Sequence, residues 1–430
     1  MKSDLDRLLQ ERDLDALVVT GPDGMSEVNA PYRWFVGDAH VTGMVLKKRG
    51  EPPMLLHHDM ERDAAAATGL RTVSSSRWPI KQIYESAATQ SRARVELYRR
   101  VFLDLGIGGR VALTGVDETA SALAFWGGLR EALPALELVV EADGTVLDEA
   151  RLTKDADEIE RLEEVARETC AIVEDVRALL AGVAAGEAGQ AGDADGPLTI
   201  GDVRRFVQQR VHARGLSTPG GFILSANRDA GVPHNTGDDG HVLAAGDVVL
   251  FDFFPRGSGG YYHDVSRTWS LGAPRPEVQA VYNDVLGCFG TLLERVQPGA
   301  STRELQQQTC EIFEEAGHVT VRQDPSSTSG YVHSLGHGLG LDVHEQPHFP
   351  SFRAGRDTRL EPGMVVTIEP GLYYPERGLG VRIEDTVLVT ETGARSLSAV
   401  PTSLEVGPGA GSAQPGDGER SERVRLAIAG

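Results

Sequence analysis

Cysteine is scarce in this chain, and long apolar runs are absent. Its 430 residues include three cysteines, Cys170, Cys288 and Cys310, and none of them belongs to a CxxC pair. Isolated cysteines in an odd number indicate a reducing compartment and no disulfide framework. Because no run of about eighteen apolar residues occurs, no transmembrane helix is predicted. Residues 1–19 lack a basic stretch followed by an apolar core, so we expect no signal peptide and a cytoplasmic protein.

Positive charge is also in deficit. The chain has 42 Lys and Arg residues against 63 Asp and Glu residues, which gives a formal net charge of −21. The field of such a surface repels nucleic acids and anionic membranes, so neither is an expected partner. Hydrophobic residues at 40% and charged residues at 24% are typical of globular proteins and exclude a disordered or fibrous chain.

The order of apolar runs predicts two domains. Over residues 1–148, short apolar runs that are typical of strands alternate with segments of helical period, which indicates an α/β domain. A second domain is predicted over residues 151–405, beginning near a long periodic helix at 154–180. Two segments lack any hydrophobic period and are predicted to be mobile, a Gly-rich insertion at 181–197 and a tail at 406–430.

Two predicted hairpins each carry two acids in otherwise apolar strands. In the first, Asp252 and Asp264 lie on strands that flank the turn at residues 255–260. If that turn centres on Ser258, the two acids face each other with Cβ atoms about 4.5–5.5 Å apart. Carboxylates this close repel each other, so we expect a positive charge between them.

The second hairpin repeats this pattern further along the chain. Glu369 and Glu384 are equidistant from the turn at residues 375–378. Between the two hairpins lies a Gly- and His-rich segment, residues 333–345, and an earlier turn carries His234. Four carboxylates and one imidazole can neutralise two divalent cations, and oxygen-rich ligation with one nitrogen suits Mn, Co, Fe or Zn.

Each of these residues alone has an ordinary structural interpretation. A single acid on a strand is usually on a solvated face, and a single histidine such as His337 is more often hydrogen-bonded in a loop than a metal ligand. His241 and His263 are assigned to that class, and Asp342 and Glu345 are expected to be turn or surface groups. The joint pattern of two acidic hairpins around a Gly/His segment favours the metal site.

Four motifs in sequence order resemble the creatinase/aminopeptidase P/methionine aminopeptidase family, the "pita-bread" metallopeptidases. They are DFFP…GGYYHDVSRT (252–268), HSLGHGLGLDVHE (333–345), VTIEPGLYYPE (366–376) and VRIEDTVLVT (381–390). The segment LLQERDLDALVVTGPDG is similar to the N-terminal domain of the Xaa-Pro aminopeptidase and prolidase branch. The resemblance implies an α/β (α+β) protein, with a creatinase-like α/β domain before a pita-bread catalytic domain whose antiparallel sheet is flanked by helices.

The resemblance also implies a set of site residues. The implied metal ligands are Asp252, Asp264, His337, Glu369 and Glu384, with Asp264 and Glu384 bridging two divalent ions. Manganese is the first choice, with Co, Zn or Fe as alternatives. The implied catalytic residues are Glu369 as general acid/base and His234 and His344 beside the scissile bond, and the implied substrate-binding residues are His333 and Arg382.

Three departures from the family pattern stand out. Phe253 and Phe254 follow the first acid where the family usually has Asp-x-Gly, and Ser266 replaces a threonine. The interval between the first two acids is one residue longer than usual, which weakens the symmetric register proposed above. Since all five ligands are present, the metal-free creatinase branch and the pseudoenzyme branch are disfavoured.

The resulting hypothesis is a dinuclear metallo-exopeptidase of the Xaa-Pro aminopeptidase or prolidase type. A metal-bridging hydroxide would attack the first peptide bond of a peptide with proline in second position, and a homodimer is expected from related two-domain enzymes. One alternative is a hydrolase or lyase that acts on a small non-peptide substrate with the same ions. Another is a catalytically silent binding module.

Overall fold

The computed structural model divides into two compact units, with the boundary between Arg151 and Leu152. It describes residues 2–21, 29–142, 144–184 and 197–407. Most of the predicted insertion and tail, residues 185–196 and 408–430, therefore lies outside the described residues. Within the described ranges, no helix combines the length and the apolar character needed to cross a bilayer.

The first unit is built on one mixed sheet with the strand order β4-β3-β2-β1-β5-β6. Its elements are α1 (Leu5–Glu11), β1 (Ala16–Thr20), α2 (Ala30–Val36), β2 (Met44–Lys48), β3 (Met54–His57), α3 (Arg62–Ala67), β4 (Arg71–Ser74), α4 (Ile80–Ser86), α5 (Gln90–Leu105), β5 (Gly109–Gly115), α6 (Thr119–Ala132), β6 (Leu136–Val139) and α7 (Val146–Ala150). Every residue of β1 is buried, as expected for a central strand that reads as a continuous apolar run. This confirms the predicted α/β class for the unit.

The described residues of the second unit form three further sheets, with the strand orders β11-β10-β12-β15-β16, β17-β9-β8-β7 and β13-β14. Its elements are α8 (Ala156–Ala184), α9 (Ile200–Ala213), β7 (Ile223–Ala226), β8 (Val248–Phe253), β9 (Val265–Leu271), α10 (Pro276–Leu293), α11 (Thr302–Glu315), β10 (His337–Gly338), β11 (Glu345–His348), β12 (Val365–Ile368), β13 (Gly371–Tyr374), β14 (Leu379–Arg382), β15 (Asp385–Val389), β16 (Ala394–Ser396) and β17 (Glu405–Val406).

Two helix pairs cover the sheets of this unit. The buried stripe of α8 and that of α9 form one apolar core with β7, β8 and β9. Helices α10 and α11 form a second core with β12, β14 and β15. Helix α9 begins at a capping box in which Thr199 and Asp202 each accept from the other's backbone N–H. The cores therefore fix the strands that carry the acids.

The register of the first acidic hairpin differs from the prediction. Asp252 of β8 lies opposite Ser266 of β9, and Asp264 precedes β9. The turn thus centres on Gly259, one residue after Ser258, and the predicted facing pair of acids is wrong. Gly259 has φ +71°, a left-handed conformation that accommodates the longer turn. Since Asp264 is two residues from the partner of Asp252, alternation along the strand still directs both acids to one face.

The register of the second hairpin agrees with the prediction. Ile368 of β12 lies opposite Asp385 of β15, and Gly371 of β13 lies opposite Arg382 of β14. Both pairings belong to one continuous register. Glu369 and Glu384 therefore occupy equivalent positions where the two paired stretches meet.

Candidate metal centre

Three predicted ligands converge at the centre of the second unit. Asp264, His337 and Glu384 are buried, and one ligand atom from each lies within 4.8 Å of those from the other two. They come from the residue before β9, the start of β10 and the junction between β14 and β15. The fold therefore joins three segments that are far apart in sequence.

Glu369 extends this cluster from the end of β12. Its Oε1 lies 3.4 Å from Nε2 of His337, and the same nitrogen lies 3.8 Å from Oδ2 of Asp264. The hydroxyl of Thr367 accepts from the His337 backbone N–H at 3.1 Å. Thr367 thus fixes the backbone from which the histidine ring extends.

Asp252 reaches the cluster through Arg382 and Ser266. Oδ2 of Asp252 accepts from an Arg382 Nη at 2.6 Å, and Arg382 Nε donates to Oγ of Ser266 at 2.8 Å. Oγ of Ser266 in turn donates to Oε2 of Glu384 at 2.7 Å. This chain of bonds links two of the predicted ligands, Asp252 and Glu384. Ser266 also lies opposite Asp252 in the sheet.

Burial and mutual repulsion disfavour the ionised forms of these acids. The pKa of Asp264 and that of Glu369 are raised well above their usual values, chiefly by burial and next by the charge of Glu384. Burial and then Asp252 raise the pKa of Glu384 to about 8. Several buried carboxylates in one place are unfavourable unless cations compensate them.

The donor atoms of the cluster fit divalent cations. Nδ1 of His337 donates to the Gly338 carbonyl at 3.1 Å, which leaves the Nε2 lone pair directed at the acids. Burial lowers the pKa of His337 to about 3, so the ring is neutral, as a ligand must be. Oδ1 of Asp252 and Oδ1 of Asp264 are buried and have no hydrogen-bond partner among the described residues. This oxygen-rich set with one nitrogen suits Mn, Co, Fe or Zn better than a thiolate-preferring metal.

The three other predicted histidines surround this cluster. The ring of His344 meets that of His337 edge-on, with centroids 4.3 Å apart, and its side chain is exposed. His234 is also exposed, and the carbonyl of the preceding Pro233 accepts from Arg382 at 3.5 Å. His333 donates from Nδ1 to the Ser334 carbonyl at 2.7 Å. Its Nε2 accepts from the hydroxyl of Tyr373 at 2.9 Å, so both ring nitrogens are bonded within the protein.

Two buried residues beside the ligands, Tyr373 and Arg267, were not predicted from the sequence. The hydroxyl of Tyr373 accepts from Arg382 at 2.9 Å and so joins the arginine to His333. Arg267 donates to the Glu384 carbonyl at 2.8 Å and to Asp385 at 2.9 Å. The sequence did contain a signal for Arg267, because it is a charged residue inside β9, a strand whose other residues are apolar or carry hydroxyl groups.

The remaining assignments have mixed outcomes. His263 is fully buried and bonds to Ser398 at 3.0 Å, and His241 bonds to Asp247 at 2.9 Å, so both are hydrogen-bonded as expected. The prediction that Glu345 is a turn or surface group is wrong. Its carboxylate forms a buried ion pair with Lys154 at the start of β11, a tertiary contact that the local sequence does not indicate.

Comparison with known proteins identifies the family. The model of metallopeptidase family M24 matches residues 160–391, which is more than half of the chain and includes every predicted ligand. The chain belongs to metallopeptidase family M24. Among the relatives of this M24 chain is an Xaa-Pro dipeptidase from Pyrococcus furiosus, 37% identical over 187 residues, or 43% of this chain and 48% of the relative. The chain thus aligns with about half the length of the curated relatives it matches.

Solved structures extend the likeness to both units. The prolidase from Pyrococcus horikoshii OT3 has a TM-score of 0.71 and 21% identity, covering 94% of this chain and 99% of that one. The dipeptidase PepE from Mycobacterium ulcerans has a TM-score of 0.69 and 25% identity, covering 95% and 97%. The M24 chain therefore has the predicted fold, with the creatinase-like domain before the pita-bread domain.

Proposed function

We propose that this chain is a dinuclear metal-dependent exopeptidase that hydrolyses the first peptide bond of peptides with proline in second position. The observation that carries the proposal is the convergence of buried acids and His337, with two carboxylate oxygens that have no hydrogen-bond partner in the part of the chain that the structure describes. The Xaa-Pro dipeptidase relative supports the substrate class. The homodimer and the cytoplasmic location expected from the sequence stay predictions.

The proposed ligands divide between two divalent ions. Asp264 and Glu384 would be shared, Asp252 would complete one ion, and His337 and Glu369 would complete the other. Manganese is the first choice, with Co, Zn or Fe as alternatives. Ions bound there supply Lewis-acid chemistry, polarising the scissile carbonyl and lowering the pKa of a water molecule.

Glu369 is the proposed proton carrier. About 16% of its side chain is exposed, more than for the acids beside it, so its carboxylate can face both the buried cluster and a bound peptide. We assign it the transfer of a proton from the attacking water to the leaving nitrogen, which is general acid/base catalysis.

The exposed histidines are the proposed electrostatic partners of the reacting carbonyl. His344 and His234 can donate hydrogen bonds to the oxyanion that develops during attack. The edge-on contact of His344 with His337 holds one donor directly beside the metal cluster. The Arg382 bond to the carbonyl of the preceding Pro233 supports a position for His234 near the arginine that holds Asp252.

The residue beyond the scissile bond would meet His333 and Tyr373. Proline has no N–H and cannot be recognised through backbone pairing, so shape must select it. Because the ring nitrogens of His333 are both bonded within the protein, we assign it an apolar contact through its ring rather than a hydrogen bond to substrate. Arg382 then acts mainly by holding Asp252 and Tyr373.

A substrate screen tests this function. Xaa-Pro dipeptides and Xaa-Pro-Yaa tripeptides would be incubated with protein supplied in turn with Mn, Co and Zn, with the matched Xaa-Ala peptides as controls. We expect release of the first amino acid from the proline series and much slower release from the alanine series. Protein that binds the metal but cleaves neither series would contradict the proposal, and would leave the small-molecule hydrolase or lyase and the silent binding module as the alternatives.

A further inference from the structure

A buried ion pair lies at the base of the loop that carries His344. Nζ of Lys154 is 2.6 Å from Oε1 of Glu345, and only 2% and 8% of the two side chains are exposed. Glu345 directly follows His344, whereas Lys154 is 191 residues away, just before α8. Lysine is almost never fully buried unless it is paired. The ion pair therefore holds the Lys154 and Glu345 side chains together in this buried position.

Glu345 closes the loop at its second end. It begins β11 and lies opposite Gly338 of β10, which directly follows the predicted ligand His337. Residues 339–344 therefore form a short loop whose two ends are paired. The carboxylate of Glu345 fits against Gly340, where an added Cβ would lie 2.4 Å from Oε1. A shift of this carboxylate would thus shift the loop.

Lys154 is itself fixed by the sheet. Its backbone N–H donates to the Gly363 carbonyl at 2.8 Å, and the neighbouring Thr153 forms an antiparallel bridge with Met364, one residue before β12. Strand β12 leads directly to Glu369. The lysine side chain therefore extends to the His344 loop from a backbone that is anchored to the same sheet as the predicted ligands.

We infer that Lys154 is a positioning residue for the reaction, acting through Glu345 to keep His344 beside His337. This inference rests on the proposed function. Removal of the lysine charge takes away the cation that lies 2.6 Å from the buried Glu345 carboxylate, which favours movement of that carboxylate toward water. Such a movement carries the adjoining His344 away from the reacting carbonyl, and a misplacement of about 1 Å can lower a rate about 10²-fold.

The test uses Lys154→Met, Glu345→Gln and the double variant in the manganese-loaded full chain. We expect kcat on Xaa-Pro peptides to fall about ten- to hundred-fold in each single variant, with KM and metal content little changed. The double variant should lose no more than either single variant, because both changes break one interaction. Hydrogen exchange over residues 339–345 should accelerate, while exchange in β8 and β9 stays at the wild-type rate.

Lys47→Met is the matched control. Lys47 is also buried and ion-paired, 2.5 Å from Asp6, but it lies in the first unit. We expect its removal to lower the melting temperature without changing kcat. If Lys154→Met fails to fold, Glu345→Gln carries the test, because it preserves the shape of the side chain.

Three outcomes would overturn the inference. The first is that the Lys154 and Glu345 variants keep both the wild-type kcat and the wild-type exchange rate over residues 339–345. The second is that their kcat falls no more than that of Lys47→Met. The third is that they lose enough bound metal to account for the lost activity. If the wild-type protein cleaves no Xaa-Pro peptide, the proposed function is wrong. The exchange comparison still decides whether Lys154 fixes the loop.

Discussion

Replacing Ser266 by alanine probes the link between the metal ligands. Its Oγ accepts from Arg382 Nε at 2.8 Å and donates to Glu384 Oε2 at 2.7 Å, and Ser266 is fully buried. The bond from the Arg382 cation contributes about 1.5–3 kcal/mol, and the bond to Glu384, which is protonated in metal-free protein below a pH of about 8, contributes about 0.5–1.5 kcal/mol. Because Arg382 keeps its bonds to Asp252 and Tyr373, we expect less than the full sum, a loss of about 1–3 kcal/mol of unfolding free energy.

Urea unfolding of chelator-treated protein measures this loss. Ser266→Thr keeps the hydroxyl and is expected to retain most of the stability. Ser270→Ala is the control on the same strand. Ser270 is also buried, but its Oγ bonds to none of the described residues, so removal of the hydroxyl should be nearly neutral. Manganese affinity should fall about 10- to 100-fold in Ser266→Ala alone. Equal stability and equal affinity in Ser266→Ala and Ser270→Ala would refute this reasoning.

Three further predictions concern the metal cluster. Asp264→Asn or Glu384→Gln should abolish peptide hydrolysis and reduce bound metal, measured by elemental analysis, and full activity in either variant would refute the shared-ligand assignment. His344→Ala should lower kcat while leaving metal content at the wild-type level, so lost metal would instead identify His344 as a ligand. In chelator-treated protein the pKa of Glu384 is about 8, raised by burial and by Asp252, so the folded state holds a proton that the unfolded state releases. The stability of metal-free protein should therefore fall as the pH rises from about 5 to about 8. Over this range the difference in melting temperature between manganese-loaded and metal-free protein should increase. A difference that decreases would contradict the account.

The ligand-bearing strands could be predicted because each acid interrupts an apolar run. That signal is local, and it located both acidic hairpins and the Gly/His segment between them. The register of the second hairpin followed from the turn at residues 375–378. The register of the first did not, because the left-handed Gly259 lengthens a turn whose centre the sequence alone leaves open.

The residues that hold the ligands in place could not be predicted in the same way. Lys154 and Glu345 are 191 residues apart, and neither has a neighbour in sequence that reveals the other. In the sequence, Tyr373 looks like an ordinary aromatic residue on a strand. In the folded protein its hydroxyl lies between Arg382 and His333 and is hydrogen-bonded to both. Partners of this kind are set by tertiary packing, which hydrophobic period and local motifs do not encode.

Calorimetric titration of Mn into chelator-treated protein tests most directly whether the acids are gathered to hold cations. The account predicts that two ions bind per folded chain and that the melting temperature rises with occupancy. A folded protein that takes up neither Mn nor Co, and whose melting temperature is unchanged by either ion, would contradict it.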